Sequence, residues 1–294
     1  MKLLKQPWFL IALFLMGVYS YYISDSGSLS LGSNTAHAGE DSPSQKKEVK
    51  DVDLTLDFEA KKLRSFEVST YQNIDIKMMP TEGDKINIKL VGKGRRYKAD
   101  GLELKDWLDI RNKRGTLTVN SFSKDGINAK LNDLFKDNSN ESLKLIVSFP
   151  KAHSFNKINI QSVASDVDAR GVNFKEASLE SVSGDAALTD GTGDKLSVST
   201  VSGDIAADNI SIKGGAFKSV SGDATIKSLI EKPNFSFESV SGDLKLSLPA
   251  TADIDVNFES MTGELQNEFG AAKQGAGKLS VSSLSGDAKV SKIK

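Results

Sequence analysis

From about Ile158 to Ile293, apolar and polar residues alternate around one recurring phrase, and the apolar positions keep nearly the same offsets from it each time. The phrase reads SVASD from Ser162, SVSGD from Ser181, TVSGD from Thr200, SVSGD from Ser219 and from Ser239, SMTGE from Ser260 and SLSGD from Ser283. Its centres are Ser165, Gly184, Gly203, Gly222, Gly242, Gly263 and Gly286, so the intervals are 19, 19, 19, 20, 21 and 23 residues. A fixed period of this size is the mark of a repeat architecture.

Seven and five residues before each centre stand mostly apolar side chains such as Leu196 and Val198, or Phe235 and Phe237. Two before come Val163, Val182, Val201, Val220, Val240, Met261 and Leu284, and two after come residues such as Ile205 and Leu244. Spacing of two is strand periodicity, and the step of three between the second and third positions predicts a bend between two short strands. Each period is therefore read as one coil, with all of these apolar positions facing inward.

One coil cannot bury its own inward side chains, whereas stacked coils pair backbone with backbone at about 4.7–4.9 Å and place like residue on like. That predicts a single-stranded parallel β-solenoid with coils of about 19–21 residues, and an internal ladder of Phe217, Phe237 and Phe258. A row of antiparallel hairpins is the competing topology, because 19 residues also accommodate two strands and two turns. Hairpins would not require the same residue at the same inward position in every unit.

The polar positions recur as strictly. Glycine occupies the corner in six of the seven units (Gly184, Gly203, Gly222, Gly242, Gly263 and Gly286), where it permits positive φ or close approach of the next coil. A hydroxyl residue precedes every centre by three and an acid follows it: Asp166, Asp185, Asp204, Asp223, Asp243, Glu264 and Asp287. Stacked carboxylates repel unless something compensates them, so Asp185, Asp204, Asp223 and Asp243 are candidate ligands of a calcium ladder. The structural alternative is that the Asp and Ser side chains bond nearby backbone amides and hold the corner.

Upstream, Lys2 and Lys5 precede an uncharged apolar run from Trp8 to Ile23, and the first charge beyond it is Asp25. This order predicts a cytoplasmic N-terminus and an exported remainder, in a single-pass protein of the cell membrane. A cleaved signal peptide is the rival, with Ala36-His37-Ala38 as its site. The expected organisation is an N-terminal transmembrane anchor over 1–24, a Ser- and Gly-rich tether over 25–50, an irregular β region over 51–157 and solenoid repeats over 158–294. Phe66, Val68, Tyr71, Ile74 and Ile76 read as a degenerate first coil one residue short at the corner, and Ile127 to Phe135 as a helix that caps the open end. Lys289, Lys292 and Lys294 are expected to guard the opposite edge in the last coil.

Eight basic residues between Lys93 and Arg114, with Trp107 among them, make Arg95, Arg96, Arg111 and Arg114 a candidate contact with an anionic lipid or wall polymer. A solvated strand face explains the same charges. The chain as a whole has 38 basic against 39 acidic residues, which speaks against a nucleic-acid binder. There are no cysteines, which removes disulfides and thiolate chemistry. Neither His37 nor His153 sits in a metal-ligand spacing, and no nucleophile elbow, phosphate loop or dinucleotide fingerprint occurs. The carboxylates recur once per coil without an odd member, unlike a catalytic pair. No cofactor and no catalytic residue is expected.

The S-V-S-G-D units, the opening from Phe66 to Val91 and the N-terminal apolar run resemble the bacterial β-strand-repeat family of candidate adhesins. Within it they are most similar to membrane-anchored LiaG-like proteins of Gram-positive Lia envelope-stress systems. Ser165 and Glu264 depart from the phrase. The resemblance implies an extracytoplasmic, non-enzymatic binding protein of the envelope, in adhesion or stress sensing. The alternatives are a structural or regulatory partner of another membrane protein and a calcium-stabilised module.

Overall fold

The computed structural model describes residues 48–70, 74–96, 103–121 and 142–293. The expected anchor, the tether before residue 48 and the helix over Ile127–Phe135 lie outside them. Among the described residues no helix is long and apolar enough to cross a membrane. The architecture is all-β, interrupted by a 3₁₀ turn at Ala60–Lys62 and a one-turn helix α1 at Leu104–Trp107.

The first part of the chain forms β1 (Glu48–Glu59), β2 (Ser65–Thr70), β3 (Ile74–Thr81), β4 (Lys85–Arg96), β5 (Asp109–Lys113), β6 (Thr116–Asn120) and β7 (Ser142–Pro150). The repeats follow as pairs that turn one corner: β8 (Ser154–Ala164) with β9 (Val167–Arg170), and β10 (Asn173–Ser183) with β11 (Ala186–Thr189). Next come β12 (Thr192–Ser202), β13 (Ile205–Ser221), β14 (Ala224–Ser228), β15 (Asn234–Ser241) and β16 (Leu244–Leu248). The last are β17 (Ile254–Ser260), β18 (Leu265–Asn267), β19 (Gly277–Ser285) and β20 (Ala288–Lys292). Pairing between coils is parallel and in register, with Leu179 opposite Val198 in β10 and β12, and Val198 opposite Phe217 in β12 and β13. The hairpin topology is thereby replaced by a stack whose two sheets meet along the corner.

The stack does not follow chain order at either end. β15 pairs with β19, and β19 pairs in turn with β17. Likewise β16 pairs with β20, and β20 with β18. The final coil in sequence is therefore inserted one place before the end, and the coil of β17 and β18 is outermost. The lengthened intervals of 21 and 23 residues fall where the chain steps past a vacant place and then returns to fill it. Two expectations change as a result. Val281 stands opposite both Phe237 and Phe258, so the aromatic ladder is broken there. Lys289 and Lys292 lie on β20, between β16 and β18, and do not guard an edge.

The N-terminal end repeats the device. β2 lies between β6 and β8, and β3 between β7 and β9, so the first coil is also second in the stack. Antiparallel strands then finish that end: β4 on β7, β1 on β4, and β5 on β6. The corner of the first coil is one residue longer, not shorter, than the next. Thr70 aligns with Ser162 and Ile76 with Val167, six steps against five. The hydroxyl of Ser165 accepts from the Ile74 amide at 3.2 Å, a bond that the glycines of later units could not make.

Inside the stack, Phe66, Ile160, Phe217, Phe237, Leu246 and Val290 are almost wholly buried. Strand alternation decides which side chains join them. From Glu176 to Val182 in β10 buried positions alternate with outward ones, putting Leu179 and Ser181 inside and Val182 outside. The valine row is therefore not part of the core, because the strand runs on through Ser183 without the bend that the three-residue step suggested.

Candidate functional site

The corner is built by four rows that ascend together. The innermost is the hydroxyl row of Ser162, Ser181, Thr200, Ser219, Ser239 and Ser283, all buried. These side chains lie under the glycine three residues on: the Thr200 hydroxyl is 3.2 Å, and that of Ser239 3.3 Å, from where a Cβ on Gly203 or Gly242 would stand. Larger residues would not fit there.

The glycine row is forced by the coil beneath. A Cβ on Gly184 would lie 2.4 Å from the carbonyl oxygen of Ser165, one on Gly203 2.3 Å from that of Gly184, and one on Gly222 2.2 Å from that of Gly203. The same approach holds for Gly242 over Gly222, Gly286 over Gly242 and Gly263 over Gly286. Positive φ occurs at Gly184, Gly222 and Gly286 but not throughout, so close approach is the shared cause.

Beside the glycines runs the acid row, in which each carboxylate accepts the backbone amide of the acid one coil further. Asp166 receives Asp185 N–H at 2.9 Å, Asp185 receives Asp204 at 2.8 Å, Asp204 receives Asp223 at 2.9 Å and Asp223 receives Asp243 at 2.8 Å. Asp243 then receives Asp287, and Asp287 receives Glu264, each at 2.9 Å. An Oδ1 of each of the four candidate calcium ligands is thus committed to an amide, the use that Asp side chains commonly have at turns. Among the described residues no group of three or more His, Asp or Glu is gathered as a metal ion would need.

The outermost row is apolar. Val163, Val182, Val201, Val220, Val240, Leu284 and Met261 follow one another in stacking order, fixed by the registers of their neighbours on either side. Val163 is 38%, Val182 43% and Met261 77% exposed. Six steps of about 4.8 Å make a ridge about 29 Å long and one side chain wide. Along one side of it runs a rail of exposed hydroxyls, Ser183, Ser202, Ser221, Ser241 and Ser285. An exposed apolar line of this regularity is the kind of surface that marks interaction sites. Parity is the signal that reveals it in the sequence: residues three apart in a continuous strand point to opposite faces.

The residues of the other predicted contact fall on two parts of the N-terminal region. Arg111 donates to Asp109 at 2.9 Å through Nε. Arg114 is exposed at the turn between β5 and β6, with a φ of 53°. Arg95 and Arg96 lie at the end of β4, in register with Val49 and Glu48 of β1. On the flank of the first sheet, a groove of about 500 Å³ is lined by Glu176, Ser178, Lys195, Ser197, Gly215 and Ala216. Glu176 and Lys195 approach to 3.6 Å beside it. Nearby, the Lys213 ammonium hydrogen-bonded to Asp194 at 2.7 Å holds that carboxyl below its ordinary range. His153, packed edge-on to Phe155 with centroids 4.5 Å apart, has its pKa lowered by burial and stands apart from the corner rows.

Comparison with known proteins matches residues 64–292 to the family profile described as Toastrack DUF4097. Similar solved structures include a candidate adhesin from Bacteroides fragilis, 15% identical, covering 85% of this chain and 99% of that one with a TM-score of 0.44. A candidate lipid-binding protein from Parabacteroides distasonis is 16% identical over 83% of this chain and 97% of its own, with a TM-score of 0.40. A candidate cell-adhesion protein from Clostridium sporogenes is 8% identical over 84% and 100%, with a TM-score of 0.33. No curated protein matches the chain.

Proposed function

The chain belongs to the Toastrack DUF4097 family, and from that premise we propose that it is a membrane-tethered, extracytoplasmic binding protein of the cell envelope with no catalytic role. The observation that carries this reading is the corner ridge from Val163 to Met261, a continuous apolar line left outside the core. Burying the exposed part of one half-buried valine is worth roughly 0.5–1 kcal/mol, so five valines in line with Leu284 and Met261 supply several. The ridge is only one side chain wide, however, well short of the roughly 800 Å² per partner of a standard protein interface. A narrow, elongated envelope component lying along the stack fits these dimensions better than a globular protein.

The tether supports the same orientation. Lys2, Lys5 and the apolar run from Trp8 to Ile23 precede β1, and β1 closes the N-terminal end of the stack. That end faces the membrane, and the ridge extends away from it. Service in adhesion or in an envelope-stress system of the LiaG-like kind belongs to this reading.

Two measurements test it. Protease added to intact cells removes the folded domain, and the Val182→Ser, Val201→Ser, Val220→Ser variant loses at least tenfold in co-sedimentation with isolated envelope while keeping its far-UV spectrum and solubility. A domain cut only after lysis, or a triple variant that sediments like the parent, overturns the reading.

A further inference from the structure

The two ends of the stack are finished differently. The N-terminal end is finished by the antiparallel strands β1, β4 and β5, with Leu104 and Leu108 of the α1 region buried against it. At the other end, among the described residues, β17 pairs only with β19 and β18 only with β20, so each presents a free backbone edge. Several inward side chains of that last coil are also only half covered, although Ile254 is buried. Leu265 is 38% exposed, whereas Ala288, its counterpart one coil inward, is 1% exposed, and Val256 and Phe258 are partly exposed where Leu279 and Val281 are buried.

Three further features make this edge a place where the stack stops one member short. Every Asp of the corner row receives an amide from the coil above it, yet among the described residues no amide reaches the carboxylate of Glu264, the last of the row. Along the inner coils, acids on one rung meet bases on the next, as in Glu176 with Lys195 at 3.6 Å and Lys218 with Glu238 at 3.0 Å. The outermost coil keeps this exchange on its inner side, where Asp253 meets Lys232 at 3.7 Å and Asp255 lies in register with Lys278, but its own rung carries acids alone: Asp253, Asp255, Glu259, Glu264 and Glu268 occur with no Lys or Arg between Lys245 and Lys273.

We propose that the edge of β17 and β18 is a strand-addition site for an extended peptide segment that alternates apolar residues with Lys or Arg. Backbone hydrogen bonding would supply affinity, as in other strand additions, while alternate side chains select the partner. Apolar residues of the added strand would cover Val256 and Phe258, and its basic residues would lie beside Asp255 and Glu259, continuing the alternation of charge seen along the inner coils. A second copy of this chain does not satisfy the site. Two such ends brought together would set Asp255 and Glu259 against their own counterparts, and like charges directly opposite in a sheet are destabilising. The acids thus discourage edge-to-edge aggregation while leaving the edge open to a basic strand. This surface is separate from the corner ridge, and its test is independent of the ridge reading.

The probe is a synthetic peptide, acetyl-Thr-Lys-Val-Thr-Val-Lys-Thr-amide, whose lysines stand four apart as Asp255 and Glu259 do, with glutamate replacing lysine in the control. On the whole chain, the lysine peptide binds and slows hydrogen exchange of amides in β17 or β18, and the glutamate peptide does neither. In the Asp255→Lys, Glu259→Lys variant, affinity for the lysine peptide falls at least tenfold and the glutamate peptide now binds. Both positions are exposed, so the variant folds, and its gain of the control peptide shows this directly. Binding that ignores the charge reversal, protection confined to other strands, or a wild-type chain that dimerises through this end and binds neither peptide would each overturn the proposal.

Discussion

At the scale of the residue, the corner glycines answer to an atom in the neighbouring coil. A Cβ on Gly203 would stand 2.3 Å from the Gly184 carbonyl oxygen, and no side-chain rotation relieves a contact with backbone. Gly203→Ala is expected to destabilise the fold by about 1–3 kcal/mol, the usual cost of overpacking. Gly270, with nothing within 4 Å of its Cβ position, is the matched control. Gly270→Ala should stay within about 0.5 kcal/mol of the parent, as surface changes do. Urea denaturation of the two variants checks the difference, and equal midpoints would show that coil contact does not select glycine at the corner. The departures of Ser165 and Glu264 from the repeated phrase have the same kind of cause. Ser165 offers a hydroxyl to the Ile74 amide, and Glu264 sits where, among the described residues, no coil follows.

At the scale of the element, a single strand carries two roles on its two faces. In β15, Phe235, Phe237 and Ser239 point inward, while Val240 joins the outer ridge. Phe237→Ala removes a wholly buried ring and is expected to cost about 3–5 kcal/mol. Val182→Ser, at a position 43% exposed in β10, should cost far less while weakening whatever binds the ridge. Thermal melts of the two variants separate core from surface. A large loss at Val182 would mean that the ridge is structural after all. The inward ladders stop where the chain order of the coils is broken, so Phe237 faces Val281 instead of Phe258.

At the scale of the whole molecule, both ends of the repeat stack are clasped. An outermost coil has one neighbour and is prone to fray, whereas the first and last coils in sequence each have two. The tucked strands also convert local repeats into distant contacts, such as Val68 with Ile160 and Asp287 with Asp243. Removing residues 277–294 should therefore do more than shorten the stack by one coil. β17 and β18 lose their pairing with β19 and β20, and β15 and β16 become the edge. In such a truncated chain, hydrogen exchange of β17 amides is expected to approach unfolded rates, with protection returning only from β15 inward. Retained protection in β17 would show that it can re-pair with β15 and that the insertion is dispensable.

The amino-acid sequence by itself determined the all-β class, the coil length and the residue type at each row, because like-on-like stacking imposes the same steric demand on every unit. Its lengthened intervals of 21 and 23 residues also carried a trace of the inserted coil, although length alone cannot say where the extra chain goes. Only the tertiary structure decided the order of the coils at the two ends and the outward turn of the valine row. Pairing order depends on which edges remain free when the chain returns, and facing depends on whether a strand bends or continues. Neither is a property of a local stretch, since the same S-V-S-G-D unit satisfies either arrangement until its neighbours are in place.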